Sequence, residues 1–236
     1  MKTSKHTFFC NNLNDLNLPP DESHHAVGVL RLKSGNHINV TDGKGNFALV
    51  KIIEPSKKNL TFEIVEKFQQ AKPTTNIHIA IAPTKSNDRI EFFLEKATEI
   101  GITEITPILS ANSERKKINT ERWEKILIAA SKQSNNHHFP ILNELTKLHD
   151  FIKENNSENT QYYIAHCEAD KPRTELKDEQ ITQKNNCILI GPEGDFNLEE
   201  INLAITNKFK PVSLGKTRLR TETAGIVACH ILNLIS

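Results

Sequence analysis

The chain has 236 residues, enough to bury a core as one large domain or two modest ones, so a small disulfide-stapled fold is excluded. Its 30 basic and 29 acidic side chains give a formal net charge of +1, so any polyanionic partner must be bound by a local cationic patch. The longest apolar runs, such as 187–190, fall far short of the roughly 20 residues that a membrane-spanning helix needs. No signal-peptide pattern is seen up to Phe9. The sequence therefore indicates a folded, cytoplasmic protein.

The first 71 residues are predicted to be rich in β-structure. Prolines at 19 and 20 begin a short helical stretch. Segments 37–41, 47–53 and 60–68 then read as strands, and the turn-forming residues 42–46 separate the first two. This pattern favours a small barrel or sandwich over a βαβ unit.

Beyond a linker at 69–76, strand-like and helix-like segments alternate, which predicts an α/β domain over 72–236 after a first domain over 1–71. Strand runs such as Cys187-Ile188-Leu189-Ile190 are apolar throughout, as expected for a parallel sheet covered on both faces. The strands are predicted at 77–82, 104–109, 162–165, 187–190 and 211–214, and the helices at 88–100, 121–133, 198–207 and from 221 onward. In the last helix, the residues predicted to form the buried face are Ala224, Val227, Ala228, Ile231, Leu232 and Ile235.

The cysteine and histidine patterns do not favour a metal site. The four cysteines are widely spread without a C-x-x-C pair, so buried free thiols are expected rather than a zinc or redox site. The pairs His24-His25 and His137-His138 are adjacent, and adjacent side chains point apart on both helices and strands.

Two nucleotide-binding motifs fit only in part. Gly43-x-Gly45-x-x-Ala48 matches the dinucleotide fingerprint, but a strand follows where the fingerprint needs a helix, so a hairpin turn is the better interpretation. Gly215-Lys216-Thr217 resembles the end of a P-loop, but Lys210 stands where the first glycine should be. The sequence thus disfavours a nicotinamide enzyme and an ATPase.

The strongest chemical signal lies after the last two predicted strands. Residues 191–196 contain two glycines and follow strand 187–190, at the sheet edge where α/β proteins bind ligands. Residues 208–220 carry five cations and no acid, which favours phosphate contacts over a solvated surface. Thr221 is the predicted N-cap of the last helix, and Glu222 in its first turn suits the positive helix end.

Several motifs in the right order resemble the SPOUT methyltransferases, most closely the ribosomal RNA small subunit methyltransferase E family. The C-terminal motifs are Leu189-Ile190-Gly191-Pro192-Glu193-Gly194, Leu214-Gly215 and Leu219-Arg220-Thr221-Glu222-Thr223-Ala224. The others are His24-His25, Val29-Leu30-Arg31 and Asp42-Gly43 near the N-terminus, and 88–91, 96–101, 113–115 and 123–133 in the middle. The similarity thus extends across nearly the whole chain.

The resemblance implies a PUA-like RNA-binding barrel followed by a SPOUT-type parallel sheet with a C-terminal trefoil knot. It also implies a homodimer that binds S-adenosylmethionine and methylates N3 of a uridine in 16S ribosomal RNA, position 1498 in the family's name, on the 30S subunit. Neither a metal nor a membrane is implied.

The matched positions give candidate site residues. Those implied for the cofactor are Ala165, His166, Cys167, Leu189, Ile190, Gly191, Pro192, Glu193, Gly194, Leu214, Gly215, Leu219, Arg220, Thr221, Glu222, Thr223 and Ala224. Those implied for RNA are His25, Arg31, Lys85, Arg89, Arg115, Lys216 and Arg218. Because a protonated uridine N3 is a poor nucleophile, catalysis needs a base or cations, for which the candidates are Arg115, Glu193, Arg220 and Glu222.

Two departures from the family pattern stand out. Asp195 occupies a position where the family usually has a glycine, and Asn135-Asn136 follows Ser134 where Gly-Arg is common, which removes one expected cation. The alternative function is an RNA-binding protein of the same architecture without catalysis, against which the intact Glu222 and both glycine loops argue.

Overall fold

The computed structural model describes residues 5–155, 157–168 and 172–236. Two units are distinguished by their internal contacts: Met1–Lys72 with Ile128–Phe139, and Pro73–Leu127 with Pro140–Ser236. The predicted limits, 1–71 and 72–236, assign 128–139 to the second domain, whereas the structural division groups that segment with the first unit.

The first unit is built on a four-stranded sheet with its strands in chain order. The strands are β1 (Thr7–Phe9), β2 (His37–Thr41), β3 (Asn46–Glu54) and β4 (Thr61–Gln69), and the helix α1 (Pro20–His24) continues into a π-helical turn at His25–Val29. β1 pairs with β2 in parallel, and the other pairs are antiparallel. The three predicted strands are confirmed, whereas β1 is too short to give a periodic signal.

The segment 42–46 is a hairpin turn between β2 and β3, as predicted. The Asp42 carboxylate accepts hydrogen bonds from the Lys44 amide at 2.8 Å and from the Asn46 side chain at 2.7 Å. Gly43 and Gly45 have φ values of 69° and 97°, where glycine carries no steric cost. The two glycines therefore serve the turn, and no helix follows them to hold a dinucleotide.

Residues 128–139 are integrated into the first unit through aromatic stacking and main-chain bonds. The Phe47 ring lies against Phe68 and His137, with centroid separations of 5.0 and 3.9 Å. The Gly45 amide donates to the His137 carbonyl oxygen at 2.7 Å, and burial lowers the pKa of His137. Asn135 has a φ of 54°, in the left-handed region that asparagine tolerates better than most residues. His137 is thus a packing residue of this unit.

An ion pair between Glu22 on α1 and Lys132 on α3 (Thr120–Gln133) should stabilise the first unit. Their side chains are 14% and 16% exposed. We expect Lys132→Met to lower the free energy of unfolding by about 2 kcal/mol, because the Glu22 charge is left without its partner. Lys125→Met on the same helix breaks an exposed pair with Glu121 and should cost at most about 0.5 kcal/mol. Denaturant unfolding of both variants measures the difference, and equal losses would contradict the prediction.

The second unit is an α/β fold on a parallel sheet with strand order β10-β12-β9-β11-β5-β6-β7, where β8 pairs separately with β6. The strands are β5 (Asn76–Ile81), β6 (Glu104–Leu109), β7 (Ile141–Leu142), β8 (Thr146–Lys147), β9 (Thr160–Ala165), β10 (Thr174–Glu175), β11 (Asn185–Ile190) and β12 (Lys210–Ser213). The helices besides α3 are α2 (Asn87–Ile100), α4 (Leu148–Glu154), α5 (Leu198–Thr206) and α6 (Thr221–Ile235). The α/β class and parallel sheet are confirmed.

Alternating side chains of the central strands enter two separate cores. On β11, Ile188 and Ile190 belong to the core that includes Phe93 of α2. Cys187 and Leu189 belong to the opposite core with Ile201 of α5. Because both faces are covered, the run Cys187–Ile190 is apolar on both sides of the strand, which is the pattern seen in the sequence. Among the described residues, no helix is both long and apolar enough to cross a membrane.

Candidate functional site

Three loops follow the carboxyl ends of neighbouring strands and surround one cavity. We call them the cysteine loop (166–168, after β9), the glycine loop (191–196, after β11) and the cationic loop (214–220, after β12). β9 lies between β11 and β12 in a parallel sheet, so the three strand ends meet at one edge. The cavity has a volume of about 620 Å³. It is lined by Ala165, His166, Cys167, Arg173, Ile190, Gly191, Pro192, Glu193, Asp195, Val212, Ser213, Leu214, Gly215, Lys216, Thr217, Arg218, Leu219, Arg220, Thr221 and Ala224.

Most positions implied for the cofactor line this cavity, and four do not: Leu189, Gly194, Glu222 and Thr223. Leu189 is fully buried in the core beside α5. The lining also contains Arg173, Asp195, Val212, Ser213 and Thr217, which were not among the cofactor candidates. The end of predicted strand 211–214 could have pointed to Val212 and Ser213, but Arg173 lies in a stretch without a periodic pattern.

Gly191 and Gly215 line the cavity, and each position needs glycine for a different structural reason. A Cβ on Gly191 would lie 3.3 Å from the Phe196 ring, so the glycine allows the glycine loop to fold tightly over this phenylalanine. Gly215 has a φ of 125°, which an L side chain rarely adopts, and a Cβ there would meet nothing within 4 Å. The backbone at Gly215 thus borders open space in the cavity.

The glycine loop is held by groups from three other segments. The Lys85 amide donates to Glu193 Oε1 at 3.1 Å, and Arg218 Nη2 donates to the Glu193 carbonyl oxygen at 3.2 Å. Asn112 Nδ2 donates to the carbonyl oxygens of Gly194 and Asp195 at 3.2 and 3.0 Å. These bonds fix the position of the Glu193 carboxylate in the lining.

Arg115, a catalytic and RNA-binding candidate, does not line the cavity. Its Nε donates to the Thr84 carbonyl oxygen at 2.8 Å, and its Nη2 donates to that of Lys85. The Lys85 ammonium pairs with Glu114 at 2.8 Å, and this hydrogen bond raises the pKa of Lys85. Arg115 therefore braces the segment whose amide binds Glu193.

Glu222 does not line the cavity and lies in the first turn of α6, as predicted for an acid at the helix N-terminus. Its side chain is 9% exposed, and Oε1 lies 3.9 Å from Arg89 Nε on α2. Within the described part of the chain, Oε2 has no hydrogen-bond partner. The prediction that Thr221 is the N-cap is wrong: Arg220 has the extended cap conformation, and its carbonyl oxygen accepts from Ala224. Thr221 is instead the first helical residue, and it is buried.

Cations dominate the charges of the lining. Arg173, Lys216, Arg218 and Arg220 line the cavity with the acids Glu193 and Asp195. Of the RNA-binding candidates, the lining contains Lys216 and Arg218, whereas Lys85 and Arg89 lie elsewhere in the second unit.

The remaining RNA-binding candidates are in the first unit. His25 lies in the π-helical turn and packs edge-on against Phe8 with centroids 5.9 Å apart. Arg31 is exposed. Among the described residues, no cluster of His, Cys, Asp and Glu could hold a metal ion.

Comparison with known proteins identifies the family. A family model described as an RNA methyltransferase domain matches residues 70–233, and one described as an RNA methyltransferase PUA domain matches residues 18–65. Ribosomal RNA small subunit methyltransferase E of Buchnera aphidicola (subsp. Acyrthosiphon pisum) is 32% identical, over 91% of this chain and 86% of that protein. This chain belongs to the ribosomal RNA small subunit methyltransferase E family. The resemblance inferred from the motifs is thereby confirmed.

Solved structures agree with membership of the methyltransferase E family. The crystal structure of a probable rRNA-methyltransferase from Porphyromonas gingivalis has a TM-score of 0.89 and 37% identity, covering 98% of each chain. A methyltransferase from Legionella pneumophila, solved with the bound cofactor S-adenosylmethionine, has a TM-score of 0.83 and 29% identity, covering 93% of this chain and 91% of that chain.

Proposed function

We propose that this protein transfers a methyl group from S-adenosylmethionine to N3 of a uridine in 16S ribosomal RNA, at the position numbered 1498 in the family's name. The observation that carries the proposal is the cavity at the ends of β9, β11 and β12, lined by backbone groups, apolar side chains and cations. Family membership supports the reaction class, and the cavity supports a small-molecule cofactor beside a polyanion.

The cavity fits the cofactor by size and by lining. Its volume of about 620 Å³ lies within the roughly 300–1,000 Å³ typical of small-molecule sites. Residues of the three loops, with Leu214 and Leu219 as apolar surfaces, would hold the cofactor, and Gly215 leaves room for its close approach. When bound, S-adenosylmethionine supplies an electrophilic methyl group.

The lining also offers groups for activating the uracil. Glu193 and Asp195 are the carboxylates of the lining among the described residues, and both Asp195 oxygens accept main-chain hydrogen bonds. We assign Glu193 as the acceptor of the N3 proton, because its carboxylate is positioned by the Lys85 amide. Arg218 and Arg220 would stabilise the negative charge on the deprotonated ring.

For the RNA itself, we propose that Lys216 and Arg218 contact phosphates at the cavity, with Lys85, Arg89, His25 and Arg31 as further contacts. A chain with a formal net charge of +1 attracts RNA only through such local patches. The binding of RNA by such a chain would be strengthened by a large preformed surface. We therefore propose the assembled 30S subunit as the substrate and the cytoplasm as the location.

We further propose a trefoil knot in the second unit. β9 precedes β11 and β12 in the chain but lies between them in the sheet, and α6 then packs back on β5 and α2. Arg218 of the cationic loop also bonds to the glycine loop. Stretching single molecules by their termini should leave the chain shorter than its full contour length, whereas full extension would contradict a knot.

We also propose a homodimer through the outer surface of α2 and α6, where Phe92 is 51% and Leu234 69% exposed. We expect Leu234→Glu to yield monomers in light scattering, because a charge would be buried in the apolar interface. Leu198→Glu, at a 53% exposed position on α5, is the matched control. Dimers of equal strength in both variants would contradict this interface.

Glu222 should support catalysis although it does not line the cavity. We expect Glu222→Gln to lower turnover about tenfold, well beyond its effect on cofactor affinity, because the contact of the buried Glu222 carboxylate with the partly exposed Arg89 positions the start of α6 next to Arg220 and Thr221. Steady-state kinetics with saturating cofactor measures this. An unchanged rate would remove Glu222 from the mechanism.

Transfer of labelled methyl groups to 30S subunits and to naked 16S RNA lacking the modification tests the function. We expect label as 3-methyluridine, with the 30S subunit as the better substrate. No label on either substrate despite cofactor binding would contradict the proposed target. Absence of both binding and label would favour a non-catalytic RNA-binding protein.

A further inference from the structure

Asp195 joins two of the three loops that surround the cavity. Its Oδ2 accepts a hydrogen bond from the Cys167 amide of the cysteine loop at 2.7 Å. Its Oδ1 accepts from the amide of the next residue, Phe196, at 2.8 Å. The Asp195 carboxylate therefore connects the segment after β9 to the segment after β11 through a short, charge-assisted hydrogen bond.

The backbone of Asp195 has a conformation that most residues with a side chain avoid. Its φ of 61° lies in the left-handed region, which glycine adopts at no cost and which Asp and Asn tolerate better than other residues. A glycine at this position would keep the loop conformation but lose the side-chain bonds to Cys167 and Phe196. The chain has thus accepted a less favourable backbone conformation and gained a connection between two loops.

The glycine loop is a firm anchor for this connection. The Asp195 amide donates to the Pro192 carbonyl oxygen at 2.9 Å, and Asn112 Nδ2 donates to the Asp195 carbonyl oxygen at 3.0 Å. In the cysteine loop, the His166 carbonyl oxygen accepts from Arg173, and the Cys167 amide donates to the Asp195 carboxylate, which ties this loop to the glycine loop. Both Asp195 and Cys167 line the cavity.

We infer that Asp195 is a positioning residue that holds the cysteine loop against the glycine loop and so keeps the cavity preformed for its ligand. Preorganised sites bind more tightly because less ordering is required on binding. The inference rests on the proposed function only for the identity of the ligand, S-adenosylmethionine. The contact between the loops can be tested without any ligand.

Cys167 provides that ligand-free readout. It is the exposed cysteine of the chain, whereas Cys10, Cys187 and Cys229 are buried. Burial and then the Asp195 carboxylate raise the pKa of the Cys167 thiol, while Arg218 and Arg173 act in the opposite direction. Removing the carboxylate should lower this pKa, increase the thiolate fraction at a fixed pH, and so speed alkylation. Release of the cysteine loop would also speed alkylation of Cys167.

We therefore expect iodoacetamide at pH 8 to alkylate Cys167 about fivefold faster in Asp195→Gly than in the parent chain, with Asp195→Asn in between. Asn tolerates the left-handed backbone and keeps one acceptor oxygen, so it should restore part of the connection. Asn135→Gly is the matched control, because it removes a side chain at a φ of 54° in the first unit. Alkylation should be unchanged in this control.

Calorimetric titration with S-adenosylmethionine gives the second readout. Asp195→Gly should weaken binding about tenfold, as expected for one lost charge-assisted hydrogen bond, and Asp195→Asn should weaken it less. A fall in thermal stability with unchanged affinity and unchanged alkylation would overturn the inference. If the parent chain does not bind the cofactor, the proposed function fails, and the order of alkylation rates alone decides the role of Asp195.

Discussion

Glu193→Gln is expected to lower kcat about 100-fold while changing the affinity for S-adenosylmethionine less than about twofold. Glutamine keeps the size of the side chain and an oxygen that can accept from the Lys85 amide, so the glycine loop should keep its conformation. It cannot accept the N3 proton, because an amide is not a base at neutral pH. Single-turnover transfer to 30S subunits, with cofactor affinity measured separately, distinguishes the two effects.

Glu114→Gln is the matched control for Glu193→Gln, because both glutamates contact Lys85. Glu114 contacts the Lys85 side chain, whereas Glu193 contacts its main chain. The Lys85 and Glu114 side chains are 74% and 54% exposed, so Glu114→Gln should leave kcat within about twofold. If both variants lose the same activity, the effect comes from the Lys85 segment and not from a carboxylate that accepts a proton.

The predicted elements of the sheet agree with the structure because their sequence signals are local. The strands β5, β6 and β11 are mostly apolar with few polar residues, and their observed bounds lie within two residues of the predicted ones. The short strands β7, β8 and β10 have two residues each, too few for any periodic pattern. Their positions depend on pairing with distant strands.

The candidate site was predicted less completely than the fold, because lining a cavity depends on side-chain direction. Motif similarity selected residues that lie on three loops around one cavity, whereas Arg115 and Glu222 contact other partners. Asp195 was noted only as a departure from the family pattern. Its contact with Cys167 joins positions 28 residues apart and has no signal in the sequence.

In the last helix, α6, the buried face predicted from the sequence agrees only in part with the observed one. The most deeply buried side of α6 is shifted from the predicted face toward Glu222, Gly225 and Cys229, while Ala228 and Leu232 are common to both. Glycine and glutamate are not counted as apolar in a periodic pattern, so the pattern underestimates how closely this side approaches α2 and β5. Gly225 lies where that approach is closest.

Gly225→Ala is therefore expected to destabilise the second unit by about 2 kcal/mol, whereas the same change in an exposed helix would stabilise it by roughly 0.5–1 kcal/mol. A Cβ on Gly225 would lie 2.6 Å from the Phe93 ring and 2.9 Å from Ile81 Cδ1, closer than atoms can pack. Both neighbours are fully buried in the same core, so neither side chain can move into solvent. Thermal or denaturant unfolding monitored by circular dichroism measures the loss.

A compensating substitution identifies the cause of this loss. Phe93→Leu removes the ring atoms nearest to the new Cβ, so Gly225→Ala should cost less in that background than in the parent chain, by about 1 kcal/mol or more. A purely local effect on α6 would give the same cost in both backgrounds. The sign of the stability change in the single variant tests the close packing first. If Gly225→Ala stabilises the protein, α6 lies farther from α2 and β5 than the distances at Gly225 indicate.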